Sequence, residues 1–160
     1  MTNLMTVSNQ WASRPDDQRF LTMEALLEAV QKHRQTSKVF NINLEKAKVA
    51  PSEDGDIHLI DQNEDLGSMS HWAFGQLCAK VSTPAEYLRS LPPELACVNL
   101  QWGLENGRNT DYVKLLNRDN TVGAMTSTSY GRIWDEEIAA AMIRNVDLDV
   151  WKVPSASYSA

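Results

Sequence analysis

The sequence is short of glycine and cysteine and contains no long apolar run. Its 160 residues include seven Gly and two Cys, dispersed along the chain. No segment approaches the roughly 20 apolar residues that a membrane-spanning helix needs, and the polar N-terminus lacks the apolar core of a signal peptide. So few glycines cannot readily bring backbone amides onto a phosphate, which argues against nucleotide-binding loops. These absences predict a soluble protein with no membrane partner, located in the cytoplasm.

Signatures of catalysis and of metal binding are also missing. The three histidines, His33, His58 and His71, fall in different predicted elements and lack the close spacing to Cys or acids that metal sites show. No nucleophile elbow is present. Cys78 and Cys97 lie in apolar, periodic stretches, where a thiol behaves as a small buried hydrophobe. The sequence therefore predicts no catalytic residue, no metal and no cofactor, and we interpret the protein as non-enzymatic.

The apolar pattern predicts one α+β domain over residues 21–160, preceded by a polar arm over residues 1–20. A hydrophobic content of 42%, with five Trp, is enough to form one core. Short antiparallel strands and hairpins, at residues 38–42, 46–49 and 57–60, are expected around a central run of three helices. A further hairpin and a C-terminal helix complete the predicted fold.

The helices are indicated by their caps and their apolar stripes. Thr22 is placed to cap a first helix that ends near Gln35, and His71 is expected to cap or pack at the start of the central run. The second central helix begins with an apparent capping box at residues 83–86. Apolar stripes mark the first and third central helices: Phe74, Leu77, Cys78 and Val81 in one, and Leu95, Val98 and Trp102 in the other.

The final hairpin and helix are predicted from similar signals. Residues 111–117 and 121–127 alternate as strands, joined by a turn at residues 118–120. Trp134 is expected in the core at the start of the last helix. The acids that follow it, residues 135–137, favour stabilisation of the helix N-terminus over acid–base chemistry.

The region between Arg108 and Arg132 is basic, although the whole chain has a formal net charge of -6. Cations that follow a phosphate backbone, interleaved with aromatic rings on which bases stack, are the elements of a surface for single-stranded nucleic acid. The alternative is that Tyr112 belongs to the core and the charges merely solvate a hairpin. The candidate nucleic-acid-binding residues are Arg108, Tyr112, Lys114, Arg118, Tyr130 and Arg132.

A second charged region is purely acidic. Between residues 53 and 65 there is no Lys or Arg, and the spacing of the acids does not match a calcium-binding loop. A solvated loop is the favoured interpretation, and a surface that binds a basic protein is the alternative. The acids are Glu53, Asp54, Asp56, Asp61, Glu64 and Asp65.

Three stretches together resemble a known family. They are residues 71–78 (HWAFGQLC), 84–92 (PAEYLRSLP) and 125–133 (MTSTSYGRI), and they resemble the phage- and plasmid-associated family called domain of unknown function 932. The resemblance extends from about Trp11 to Ser159. It implies an origin in a phage or another mobile element, and it supplies no catalytic residues. Because the family pattern continues past residues 153–158, the chain is expected to be a shortened or N-terminal portion.

Two functions follow as hypotheses. The first is an accessory role of a mobile element in handling single-stranded nucleic acid during recombination or replication, in the cytoplasm of a bacterial host. The second is an anti-CRISPR-like inhibitor that binds a host defence protein through its acids, because an acidic protein is drawn to a basic surface. Exposure of Trp11 or Trp151 would indicate an interface, including that of a homo-oligomer.

Overall fold

The computed structural model describes residues 19–107, 111–148 and 150 of the chain. The chain divides into two compact units. The helical unit takes its residues from the chain up to Gln35 and from Arg132 onwards, and the sheet unit comprises Thr36–Gly131. The α-helices within the described ranges are α1 Met23–Thr36, α2 His71–Lys80, α3 Ala85–Arg89, α4 Pro93–Asn106 and α5 Asp135–Asn145.

The sheet unit is built on a six-stranded sheet with the order β1-β5-β6-β4-β3-β2. Its strands are β1 Ser37–Asn43, β2 Lys48–Pro51, β3 Ile57–Asp61, β4 Glu64–Met69, β5 Tyr112–Arg118 and β6 Thr121–Ser127. β4 and β6 pair in parallel, through Ser68 with Thr121 and Met69 with Val122. The sheet is therefore mixed, because this parallel pair joins the antiparallel strands that the sequence predicts. A parallel pair needs a long crossover, and the three central helices form much of it.

The core lies on one face of the sheet, where β5 alternates and β6 changes its phase once, at an irregularity of the β5–β6 ladder beside Gly123. Val113 and Leu115 of β5 are fully buried, and Val122 and Met125 of β6 lie beside them. The helix α2 packs against β6, and α4 packs against β2. Two layers, a sheet and a helical layer, thus enclose the core of this unit.

The strand β4 was not expected, because residues 53–65 were interpreted as a solvated loop. Part of that segment is the β2–β3 loop, but Asp61 ends β3 and Glu64 begins β4. Gln62 and Asn63 form the tight turn between these strands, both with positive φ. Strand pairing therefore overrides the poor strand propensity of the acids, so the loop interpretation is wrong at this end of the segment.

The caps of the central helices differ from the predicted ones. The cap of α2 is Ser70, whose Oγ accepts a hydrogen bond of 3.1 Å from the amide of Ala73. His71 is the first helical residue and is exposed. The capping box at Thr83 does not form, because the Thr83 hydroxyl donates instead to the carbonyl of Val81 at 3.3 Å.

The apolar stripe predicted on α4 lies on its exposed side. Leu95, Val98 and Trp102 are all exposed, and Trp102 retains 68% of its accessible surface. The buried face consists of two leucines and three small residues: Leu100 and Leu104, with Ala96, Cys97 and Gly103. Close approach decides the outcome, because a Cβ at Gly103 would come within 2.6 Å of Val81 Cβ. A helix that must approach its neighbour this closely turns its small residues inward.

The helical unit contains α1 and α5. Thr22 caps α1 as predicted, since its Oγ1 accepts from the amide of Ala25 at 3.1 Å. Arg34 joins the two helices through ion pairs with Glu136 at 3.1 Å and Glu137 at 3.3 Å. Trp134 is half-buried, and the Arg34 guanidinium lies 5.1 Å from the centre of its ring.

The α+β class, the first and last helices and the β5–β6 hairpin are confirmed. The predicted arm over residues 1–20 lies almost wholly outside the described residues, as do Trp11 and Trp151. The domain boundaries therefore stay predictions.

Two glycines with positive φ make a matched test of the sheet. Gly67 in β4 has φ +88, and a Cβ there would overlap the backbone carbonyl of Asn120. Gly55 has φ +83 with open space around it. We expect Gly55→Ala to lower the free energy of unfolding by about 1 kcal/mol, the backbone cost alone. Gly67→Ala should lower it by more than about 4 kcal/mol, because the backbones of β4 and the β5–β6 turn must separate.

Urea denaturation of both variants measures this difference. Equal losses for the two variants would mean that β4 does not approach Asn120 as closely as described.

Candidate nucleic-acid interface

Three of the predicted contact residues lie on the same face of β5. Successive side chains of a strand point to opposite faces, so Tyr112, Lys114 and Arg118 share the face opposite Val113 and Leu115. Tyr112 is 59% exposed, so the alternative that placed it in the core is wrong. Tyr112 and Lys114 are separated by ~7 Å along the strand, and Arg118 lies ~20 Å from Tyr112.

This face continues across β1 and β6, and none of its side chains is buried. We call it the open sheet face, and define it by the outward residues of these three strands. Two of these outward residues are cationic and none is acidic. They are Ser37, Val39, Asn41 and Asn43 of β1, Tyr112, Lys114, Leu116 and Arg118 of β5, and Thr121, Ala124 and Thr126 of β6.

Tyr130 is held next to the open sheet face by backbone contacts. Lys114 Nζ donates a hydrogen bond of 2.9 Å to the carbonyl of Tyr130. The Tyr130 amide donates to the carbonyl of Ser127 at 3.1 Å. The ring itself is 48% exposed. Tyr112 and Lys114, two residues apart, and Tyr130, 16 residues further along the chain, are therefore gathered at one end of β5 and β6.

Arg118 does not share this end of the strands. Arg118 is at the far end of β5, 3.9 Å from Asp119. Arg132 belongs to the helical unit, where its guanidinium lies 5.5 Å from the centre of the Trp134 ring. Arg108 lies outside the described residues. The structure thus brings together Tyr112, Lys114 and Tyr130 of the six predicted residues, with Arg118 on the same face.

The six acids do not form one surface. Glu53, Asp54 and Asp56 lie in the loop before β3, and Asp61, Glu64 and Asp65 lie around the turn after it. The five residues of β3 separate the two groups by ~16 Å. An inhibitor site that uses all six carboxylates would have to span the whole length of this strand.

Asp65 is engaged within the sheet. Its Oδ2 lies 2.9 Å from Nδ1 of His58 on the neighbouring strand, and its Oδ1 accepts from the amide of Gly67 at 2.8 Å. The hydrogen bond from His58, followed by that from Gly67, holds the pKa of Asp65 below its usual value. This carboxylate therefore has structural partners, although it is solvent-exposed.

A groove that was not expected from the sequence lies beside the second edge of β6. It has a volume of about 420 Å³ and runs between this edge and α2. Its lining residues are Gln76, Ala79, Lys80, Asp111, Met125, Thr126 and Ser127. Gln76 connects the two walls, because its Oε1 accepts a hydrogen bond of 2.7 Å from the Met125 amide. A contact across 49 residues of sequence leaves no local signal.

The cysteines are buried free thiols, as predicted. Burial raises the pKa of both Cys78 and Cys97 to about 11, so both stay protonated at neutral pH. Within residues 19–107, 111–148 and 150, no three His, Cys, Asp or Glu residues are grouped to hold a metal ion. The described helices are all too short or too polar to cross a bilayer.

No family model, no curated protein and no solved structure matches this chain. The resemblance to the domain of unknown function 932 family therefore stays a prediction from its three sequence stretches.

The Asp65–His58 contact predicts a pH dependence of stability. A carboxyl group whose pKa is lowered by folding contributes stability above its unfolded pKa of 3.8, and the contribution is lost as pH falls through the lowered value. Asp65→Asn should therefore be less stable than the parent at about pH 5, and the difference should shrink towards about pH 2. Chemical denaturation at both pH values measures it. A difference that is the same at both would mean that the carboxylate charge plays no part.

Proposed function

We propose that this chain is a non-enzymatic protein that binds single-stranded nucleic acid on the open sheet face. The observation that carries the proposal is the placement of Tyr112 and Lys114 as adjacent outward residues of β5, with Tyr112 largely exposed. The sequence resemblance supports the further proposal that the protein serves a phage or another mobile element in recombination or replication.

The first support for the proposal is base stacking. The ring of an exposed tyrosine on a sheet is a flat surface held in place by its strand, and a base that stacks on such a ring contributes about 1–3 kcal/mol of binding free energy. Tyr130 provides a second ring at the same end of β5 and β6, because the Lys114 side chain donates a hydrogen bond to the Tyr130 carbonyl. Two rings near one another can receive two successive bases of an unpaired strand.

The second support for the proposal is the positive charge of the open sheet face. Lys114 and Arg118 are the two cations of the open sheet face, and the face has no acid of its own. Phosphates that follow β5 would meet a cation near each end of the strand. A lysine that already donates to the Tyr130 carbonyl retains further N–H donors for a phosphate oxygen.

The aromatic contribution can be tested with two tyrosines of equal exposure. Tyr112 is 59% exposed on β5, and Tyr87 is 58% exposed on α3. Tyr112→Ala should weaken binding of a fluorescent dT oligonucleotide about tenfold, because one stacked base is lost. Tyr87→Ala should leave it unchanged. Fluorescence polarisation measures both, and equal effects would remove the open sheet face as the binding surface.

The electrostatic contribution can be tested by salt. Lys114→Ala should weaken binding and reduce the slope of log affinity against log salt concentration by about 0.7, the loss of one phosphate contact on a single strand. Lys46→Ala is the control, because Lys46 is exposed in the short helix between β1 and β2. Absence of salt-sensitive binding by the parent protein at micromolar concentration would overturn the proposed function itself.

A further inference from the structure

The second edge of β6 presents to the groove a pair of backbone groups that no described residue bonds. β6 pairs with β5 along its length, but β4 covers its other edge only at Thr121 and Val122 among the described residues. Beyond that point the edge faces α2. The Oγ of Ser70 donates to the Gly123 carbonyl at 2.7 Å, and Gln76 accepts from the Met125 amide at 2.7 Å.

The direction of the next groups follows from the antiparallel pattern. The Met125 amide bonds to Gln76, which lies away from β5, so Met125 and Leu115 form a non-hydrogen-bonded pair. Ser127, two residues on, belongs to the same kind of pair with Val113. The N–H and C=O groups of Met125 and Ser127 therefore all point into the groove.

Two of these four groups have a partner among the described residues. Gln76 occupies the Met125 N–H, and the Tyr130 amide donates to the Ser127 carbonyl at 3.1 Å. The Met125 C=O and the Ser127 N–H have no partner in the part of the chain that the structure describes. They stand side by side along the edge as one acceptor and one donor.

We propose that this pair binds the Watson–Crick edge of one unpaired base, which enters the groove beside α2. Every nucleobase has an adjacent donor and acceptor on that edge, so the base donates to the Met125 carbonyl and accepts from the Ser127 amide. The inference rests on the proposed function and names what the site selects: an unpaired base, because pairing in a duplex consumes the same edge.

The form of the groove favours a base over an added peptide strand. A peptide strand needs a run of ladder groups, but Gln76 already occupies the Met125 amide and the strand ends at Ser127. One acceptor–donor pair remains, which suits one planar ring. The groove volume of about 420 Å³ lies within the range of small-ligand sites, which is enough for a base.

The groove also adjoins the open sheet face. Thr126 lines the groove and lies opposite Lys114, and Tyr130 bonds to both Ser127 and Lys114. A strand whose bases stack on Tyr112 and Tyr130 would pass the mouth of the groove. Lys80 and Asp111 lie at the rim of the groove. The Lys80 ammonium can pair with a phosphate of the bound strand, and the Asp111 side chain limits the space for the base.

The direct test follows the Ser127 amide by ¹⁵N-labelled nuclear magnetic resonance during titration with two oligonucleotides. One is a dT oligonucleotide, and the other has the same length but contains N3-methylthymidine, which keeps charge and stacking and blocks the Watson–Crick donor. The Ser127 amide should shift downfield with dT and not with the methylated strand, and the methylated strand should bind about tenfold more weakly.

Two variants at the same position, Ser127, form the second part of the test. Ser127→Pro removes the N–H that faces the groove, and Ser127→Ala keeps it while removing the hydroxyl. Loss of affinity for dT by about tenfold in the first and none in the second supports the proposal. If the Pro variant is unfolded by circular dichroism, Ala79→Leu, which fills the groove from the exposed side of α2, replaces it, with Ala79→Ser as control.

The outcomes separate the two proposals. Equal binding of both oligonucleotides, with an unmoved Ser127 amide, overturns the base site and leaves binding on the open sheet face intact. No binding of either strand overturns the proposed function. A Ser127 shift produced by a hexapeptide of alternating Thr and Val, and by neither oligonucleotide, overturns the base site in favour of a β-strand partner.

Discussion

The register of β5 determines which side chains the sheet buries and which it exposes to solvent. β5 lies between β1 and β6 and pairs with both, so its alternation is fixed on two sides. A slip by one residue would bury Tyr112 and Lys114 and expose Val113 and Leu115. Each of these buried aliphatic side chains contributes about 2 kcal/mol, and a buried unpaired ammonium would cost more. The core therefore fixes the register, and the register holds the tyrosine and the lysine outward.

Local signals predicted those parts of the fold whose cause is local. The β5–β6 hairpin is one example, because Asp119 and Asn120 tolerate the positive φ values of 50° and 58° that its turn requires. The strand β4 has no such signal, since Glu64 and Asp65 are poor strand formers and the pairing with β3 is what extends them. The buried face of α4 was missed for a related reason. Size favours Trp102 for the core, but close contact at Gly103 selects the opposite face.

The candidate site likewise has parts that local sequence predicts and parts that depend on contacts between distant residues. That Tyr112 and Lys114 share a face follows from a spacing of two residues, so a sequence that predicts the strand also predicts this. The position of Tyr130 depends on a lysine 16 residues away, and the groove depends on Gln76 meeting Met125 across 49 residues. Neither distance has a periodicity from which a contact can be inferred. Composition alone likewise grouped six acids that β3 holds apart.

An acidic chain can bind a polyanion when its charges are segregated. Glu64 and Asp65 lie on β4, two strand spacings from β5, and line a pocket together with Asn117 of β5. Glu53, Asp54 and Asp56 lie in the loop that leads into β3, three strand spacings from β5, which is ~14 Å. This exceeds the screening length of about 8 Å at physiological salt, so those three carboxylates would weaken the proposed phosphate binding at β5 very little. The net charge of -6 still opposes non-specific adhesion to duplex DNA, whose charge density is high. Stacking on Tyr112 requires an accessible base face, and the Met125–Ser127 pair requires a free Watson–Crick edge. In the proposed function, charge, stacking and backbone hydrogen bonding would therefore all favour a nucleic-acid strand that is not paired.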